Sequence, residues 1–455
     1  MLVNNSDVIA ALITPPGRGG VGIIRLSGDN LDRFFDGFLG FKPTPRYAHF
    51  QPFLTADGDQ IDEGIVLYFA SPNSYTGEHI LELQGHGGPV VMDILLRRAL
   101  ELGARQARPG EFSERAFLNG KMDLTQVEAV ADLIDAGSEQ AARGAIKTLQ
   151  GQFSRQVSQL LEHLIQLRVY VEAAIDFPEE EVDFLSDGKI EQGLLNLGLE
   201  LKALLANVSQ GALLREGISV VIAGKPNAGK SSLLNALSGH DLAIVTDVPG
   251  TTRDVLRQQI NIDGMPLHII DTAGLRATDD TVERHGIERA QDEIKRADQI
   301  LLLIDASEQY DLSVDSLCQH AGADFSQANN VTFVLNKTDR PGYVAVHAGH
   351  GQHPVIEISA KTGAGLPDLK QHLKNCAGYV SAGEGLFSAR RRHISALQKT
   401  EVCIAQALEQ LLTVEAGELI AEDLKQAQHA LGAITGDYTS DDLLGEIFSS
   451  FCIGK

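Results

Sequence analysis

Residues 218–237 read ISVVIAGKPNAGKSSLLNAL. ISVVIA is an apolar, β-branched run that predicts a buried strand, and LLNAL predicts the opening of a helix. Between them, GKPNAGKSS satisfies GxxxxGKS/T in the strand–loop–helix setting that a phosphate-binding loop requires. Glycines let backbone N–H groups approach phosphate oxygens, and the following helix N-terminus favours negative charge. Lys230 is expected to reach the β- and γ-phosphates and Ser231 to ligate Mg²⁺, with Asn227, Ala228, Gly229 and Ser232 completing the cradle.

Outward from this loop the rest of a nucleotide site is legible. Asp271, Thr272, Ala273 and Gly274 follow the apolar run PLHII. An Asp there suits the outer shell of Mg²⁺, and the Gly274 amide suits the γ-phosphate. A lone DxxG is a weak signal; its place after a strand and downstream of the phosphate loop makes it strong. Asn336, Lys337, Thr338 and Asp339 follow VTFVL. An Asp carboxylate accepts two hydrogen bonds from guanine N1–H and N2–H₂, a pair adenine does not offer, and unsatisfied polar groups penalise the wrong base. Ser359, Ala360 and Lys361 would bring a backbone amide to guanine O6. The expected ligand is GTP. Between these motifs, VTDVPGTTRD supplies Thr246, Asp247, Val248, Pro249, Gly250, Thr251 and Thr252, with Thr252 expected to complete the Mg²⁺ shell.

Leu275 follows DTAG, where Ras-like switches place a water-positioning Gln. Leu can neither orient water nor stabilise charge. A missing cationic finger alone forfeits about 10³–10⁵ in rate, roughly 4–7 kcal/mol. Something else must supply that stabilisation.

The whole chain reads as a multidomain α/β protein. Residues 1–119 mix β-like runs with helical stretches, as an α+β domain does. Residues 120–216 are helical, residues 217–378 alternate strand and helix, and residues 379–455 are helical again. Thr125 and Glu128 have capping-box spacing before an apolar-periodic run. The two helical flanks are expected to form one discontinuous helical domain with a Ras-like G domain inserted into it.

Composition bounds the function. The formal charge of −23 excludes a general nucleic-acid coat, because phosphate binding is driven by Lys and Arg. The basic run Arg390, Arg391, Arg392, His393 leaves room for focal contact, or a partner protein could supply it. No stretch approaches the ~18 uninterrupted apolar residues of a membrane span, and no signal peptide is read. Cysteines at 318, 376, 403 and 452 form no CxxC pair, which fits a reducing cytoplasm. GRGGVG at 17–22 matches GxGxxG, but IIRLSG follows it as a strand rather than a helix, so a dinucleotide site is excluded. Cys452 in the terminal FCIGK does not fit a prenylation box, and the residues alone suggest a buried structural cysteine.

GKPNAGKSS, TDVPGTTRD, DTAGLR, VERHGIERA and FCIGK, with PPGRGGVGIIRLSG and LELQGHGG near the N-terminus, together resemble the MnmE (TrmE) family of tRNA-modification GTPases along the whole chain. The resemblance implies a potassium-dependent GTPase activated by dimerisation of its own G domains. K⁺ would stand in for an arginine finger, held by Asn227, Thr246, Val248 and Thr251, and Glu283 would orient or activate the attacking water. It further implies that the N-terminal domain is a constitutive homodimer binding formyl- or methylene-tetrahydrofolate through Arg25, Glu82, Lys121 and Lys455. A cationic group there would hold the folate's glutamate tail and a carboxylate would pair with the pterin. Cys452 would be a thiol needed for tRNA modification but not for GTP hydrolysis. With the FAD- and NADH-using partner MnmG (GidA), such a protein modifies carbon five of the wobble uridine of certain tRNAs. The rival expectation is a ribosome-assembly GTPase of the Era or Der type, which would carry a basic RNA-binding domain.

Overall fold

A computed structural model describes residues 7–176, 188–238, 257–271, 297–307, 316, 330–341, 343, 353–379, 386–413, 416–438, 441–449, 451–452 and 454. The chain divides into two compact units: Met1–Ala131 with Thr148–Leu199 and Ala396–Lys455, and Asp132–Lys147 with Glu200–Ser395.

The first unit begins with β1 (Ile9–Leu12), β2 (Gly22–Gly28), α1 (Asp32–Leu39), β3 (His49–Leu54), β4 (Gln60–Phe69), β5 (His79–Gly85), α2 (Pro89–Glu101), β6 (Arg105–Gln106) and α3 (Glu111–Leu118). The sheet order is β3-β4-β5-β2-β1-β6, antiparallel except for the β1–β6 edge. Side chains alternate between faces along each strand. Ile24, Leu26, Leu81 and Leu83 therefore share one face, buried against Phe34, Phe35 and Phe38 of α1 and Met92 and Leu95 of α2. Arg25 and Glu82 stand directly opposite each other in the β2–β5 register, on the other face. Residues 17–22 run as a loop straight into β2, with no helix behind them, as the strand-like IIRLSG predicts.

Helices follow: α4 (Leu124–Ile134), α5 (Glu139–Leu149), α6 (Gln152–Asp176) and α7 (Lys189–Glu216). The capping box of α4 lies two residues earlier than Thr125 and Glu128. The Gln126 amide N–H donates to Asp123 Oδ1 (3.0 Å) and the Asp123 N–H to Gln126 Oε1 (3.0 Å). Asp is as good a cap as Thr, and Thr125 instead spends its hydroxyl on Asp123 and on Ser154.

The second unit contains β7 (Ile218–Ala223), α8 (Lys230–Ser238), β8 (Arg257–Ile262), β9 (Met265–Asp271), β10 (Gln299–Asp305), β11 (Val331–Asn336), β12 (Val355–Glu357) and α9 (Leu366–Cys376). Its sheet runs β12-β11-β10-β7-β9-β8, parallel except for the β8–β9 hairpin. Strands β10 and β11 are apolar along their length because both faces are covered. Leu301, Leu303 and Val334 pack with Leu233 of α8 and Leu369 of α9, while Ile300, Leu302 and Phe333 fill the opposite layer.

The chain ends in α10 (Arg391–Thr413), α11 (Gly417–Thr435) and α12 (Asp441–Ser449). α6 and α11, which precede and follow the α/β module in sequence, pack together in the first unit. Phe448 and Phe451 close over Leu124 and Val127 of α4. The basic run at 390–393 is not a free cationic patch. Arg390 pairs with Asp132 (2.9 Å), Arg391 with Glu216 (2.8 Å), and His393 is buried, accepting from the Arg390 N–H.

Candidate functional site

The phosphate loop joins β7 to α8, at the carboxyl ends of the parallel strands, where open α/β sheets bind ligands. Asn227 and Gly229 take left-handed conformations (φ 67° and 102°). At Gly229 a Cβ would run into the Asn336 amide, so that position has no room for a side chain. Lys230 folds its ammonium back onto the carbonyls of Gly224 (2.7 Å) and Lys225 (3.1 Å). Those carbonyls hold the cation at the mouth of the loop, where an incoming phosphate can take it over. Ser231 and Ser232 open α8. Asp271 ends β9 opposite Ile222, one residue short of the end of β7.

The base-reading segments meet the phosphate loop directly. Asn336 Nδ2 donates to the Ala228 carbonyl (2.8 Å), and its Oδ1 accepts from the Ala360 amide (3.0 Å). Lys337 Nζ donates to the Asn227 carbonyl (2.7 Å) and to Asp305 Oδ2 (2.6 Å). Asp339 Oδ1 accepts the Ser359 hydroxyl (2.7 Å). That bond, aided by the nearby Lys361 and Arg340 charges, holds the Asp339 carboxyl below the usual carboxylate range. Asn227, Ala228, Asn336, Lys337, Asp339, Ser359 and Ala360 are thus one bonded assembly. An ionised carboxylate, a cradle of amides and a lysine in this order suit a guanine nucleotide. Sequence reading passed over Asp305, whose only signal was an acidic residue closing the apolar run QILLLID. Thr246, Asp247, Val248, Pro249, Gly250, Thr251, Thr252, Thr272, Ala273, Gly274, Leu275, Glu283 and Lys455 lie outside the described residues.

In the first unit, Arg25 and Glu82 are bonded to each other: Nε and Nη2 both reach Glu82 Oε1, at 2.9 and 2.8 Å. The guanidinium also lies over the rings of Tyr75 (5.5 Å) and Phe112 (5.7 Å). Lys121 stands at the neighbouring 72–77 loop, donating to the Pro72 carbonyl (3.0 Å).

Behind this face lies a charge cluster that the sequence did not single out. Arg115, 1% exposed, donates to both oxygens of Glu78 (3.1 Å), to Asp7 Oδ1 (2.7 Å) and more distantly to Glu111. Glu111 also accepts from Arg105 (2.6 Å) and from the Arg108 amide. Burial pushes the Glu78 carboxyl up despite bonds from Ser27 and Arg115. Burial also acts on Glu111, but there the Arg105 guanidinium and the Arg108 amide prevail and hold it down.

Cys452 is exposed, which removes the reading of a buried structural cysteine. Its carbonyl accepts from the Gly110 amide (3.3 Å), and a Cβ at Gly454 would lie 2.7 Å from the Leu12 carbonyl. The C-terminal tail therefore reaches the N-terminal sheet within the first unit. Among the described residues no helix is long and apolar enough to cross a membrane.

Comparison with known proteins gives two matching family models: "GTP-binding protein TrmE N-terminus" over residues 8–121 and "MnmE helical domain" over residues 124–452. The tRNA modification GTPase MnmE of Marinomonas sp. (strain MWYL1) is 57% identical over 453 residues, covering 99% of this chain and 98% of that one. Its counterpart in Saccharophagus degradans is 56% identical over 456 residues, covering all of both chains. A solved structure of Era with MgGDPNP and a 16S ribosomal RNA segment is 25% identical, covering 48% of this chain and 89% of that one, with a TM-score of 0.27. A nucleotide-site geometry of this kind, two family models that together take in nearly all of the sequence, and relatives aligned end to end place the chain in the MnmE (TrmE) family of tRNA modification GTPases.

Proposed function

We propose that this protein is a potassium-dependent GTPase, cytoplasmic and homodimeric, that drives modification of carbon five of the tRNA wobble uridine. It acts with an FAD-containing MnmG (GidA) partner and takes a one-carbon unit from formyl- or methylene-tetrahydrofolate to build a carboxymethylaminomethyl-type group. The observation that carries the reading is the bonded assembly of phosphate loop, NKTD and SAK segments through Asn336 and Lys337.

Asp339 reads guanine, the Ala360 amide exchanges its Asn336 partner for guanine O6, and Lys230 exchanges its carbonyl partners for the phosphates. Ser231 and Thr252 hold Mg²⁺; Asn227, Thr246, Val248 and Thr251 hold K⁺. When bound, the two cations supply positive charge where it develops in the transition state. Glu283 orients the attacking water in place of the group that Leu275 cannot provide. In the N-terminal domain the Arg25–Glu82 pair, with Lys121 and Lys455, binds the folate, and the exposed Cys452 serves tRNA modification. Against the Era- or Der-type alternative, which would carry a basic RNA-binding domain, stands the chain's formal charge of −23.

Two measurements test the reading. Nucleoside analysis of tRNA from a strain lacking the gene should show unmodified wobble uridine, restored by complementation; normal modification in its absence would reject the proposal. GTP turnover in KCl should exceed that in NaCl by about 10³, and equal rates would remove the potassium step.

A further inference from the structure

We propose that Asp305 is a positioning residue of the nucleotide site: it aims Lys337 at the phosphate loop and thereby holds Asn227 in its left-handed conformation. The inference rests on the GTP-binding reading above and not on its potassium step.

Asp305 ends β10 beside Asn336, which ends β11, so the carboxylate stands next to the base-reading segment. It is held from both sides. Oδ1 accepts from the Ser307 amide (3.0 Å) and hydroxyl (2.6 Å), and Oδ2 accepts from Lys337 Nζ (2.6 Å). Arg340 in turn donates to the Ser307 hydroxyl (2.8 Å), bracing the chain from the far end. The Asp305 side chain is 16% exposed, and that of Lys337 is 22% exposed. The lysine's ammonium therefore lies between the half-buried Asp305 carboxylate and the exposed Asn227 carbonyl, and the carboxylate is its better shielded anchor.

Asn227 and Lys337 both sit at positive φ, 67° and 73°. Side-chain-bearing residues hold such conformations only where surrounding structure supports them. The 2.7 Å charge-assisted bond from Lys337 to the Asn227 carbonyl is such a support. Its direction depends on what anchors the other side of the ammonium, and that anchor is Asp305. Base recognition and phosphate-loop shape are linked through Asn336, which bonds the Ala228 carbonyl, and through this lysine, which bonds the Asn227 carbonyl, and Asp305 sets the second link. An amide in its place keeps the size but removes the negative charge, so Lys337 is released to solvent and Asn227 loses its brace.

The test is release of a fluorescent GDP analogue, mant-GDP, from full-length protein in KCl. Asp305→Asn should speed release about tenfold, and Ser307→Ala, which loosens the carboxylate from the exposed side, about threefold. Asp305→Glu should return release most of the way towards wild type. Thermal midpoints should stay near wild type for Ser307→Ala. If Asn227 is a K⁺ ligand, half-activating K⁺ in GTP turnover should also rise in Asp305→Asn, a change that lost stability alone would not cause. Release within twofold of wild type in a folded Asp305→Asn or, should that variant not fold, in Ser307→Ala overturns the inference. Failure of the wild-type protein to bind mant-GDP would overturn the reading it rests on and the inference with it.

Discussion

The Asp339→Asn protein is expected to bind GTP at least about a hundredfold more weakly and to gain affinity for xanthosine triphosphate. Asp339 is held ionised by the Ser359 hydroxyl on Oδ1, which leaves Oδ2 and a second lone pair on Oδ1 to accept from guanine. Guanine presents two donors on that edge, N1–H and the N2 amine. An asparagine offers one acceptor and turns a donor toward the amine, so one donor pair is left facing another. Xanthine carries a carbonyl where guanine has the amine and matches the new amide. Titration calorimetry with both nucleotides checks the exchange. GTP affinity within threefold of wild type would mean that Asp339 does not read the base.

Arg115→Met should destabilise the N-terminal domain by about 3–5 kcal/mol. The guanidinium is 1% exposed and neutralises Glu78 while bonding Asp7 and Glu111. Methionine fills most of the volume but leaves the Glu78 charge buried without its partner, and it is this uncompensated charge that is costly. The effect depends on pH with a definite sign. In the wild-type protein Asp7 and Glu111 are held below their usual values, although burial opposes this, by bonds from Arg105 with Arg115 and from Arg105 with the Arg108 amide respectively. Their stabilisation is complete above the ordinary carboxylate range and is lost as pH falls through it. Glu78 is already raised by burial in the wild-type protein; without the Arg115 charge that opposes this it rises further, so the variant gains more stability than wild type as pH falls. The gap between the two proteins is therefore wider at pH 8 than at pH 5. Hydrogen exchange of amides in β1, β2, β5 and α3, read in the full-length chain, measures it locally. An unchanged exchange profile at pH 8 would show that the cluster carries no such stability.

The nucleotide site was the most legible part of the chain because each motif is local. A phosphate loop needs only a strand, a glycine-rich turn and a helix start within residues 218–237, and all three follow from composition and period. NKTD and SAK likewise sit at strand ends that apolar runs announce. The cap of α4 is ambiguous in the sequence for a local reason too. Asp123, Thr125 and Gln126 all carry capping groups, and the register of the first turn chose among them.

Other features depend on residues that only folding brings together. Arg25 and Glu82 lie 57 positions apart, and the β2–β5 register sets them face to face. A shift of one residue would put them on opposite sides of the sheet. Asp305 reaches Lys337 because β10 and β11 are parallel neighbours ending together. The run at 390–393 looks like a free basic patch until Asp132 and Glu216 are seen against it.

Phosphate binding, guanine reading and the α/β alternation could be deduced from the residues alone, since they rest on short-range backbone chemistry and on strand and helix period. Which charges remain available, and which residue braces the phosphate loop, was decided by tertiary packing. Ion pairs between distant segments follow from strand register and from the burial that excludes water, and neither is written in any single stretch of chain.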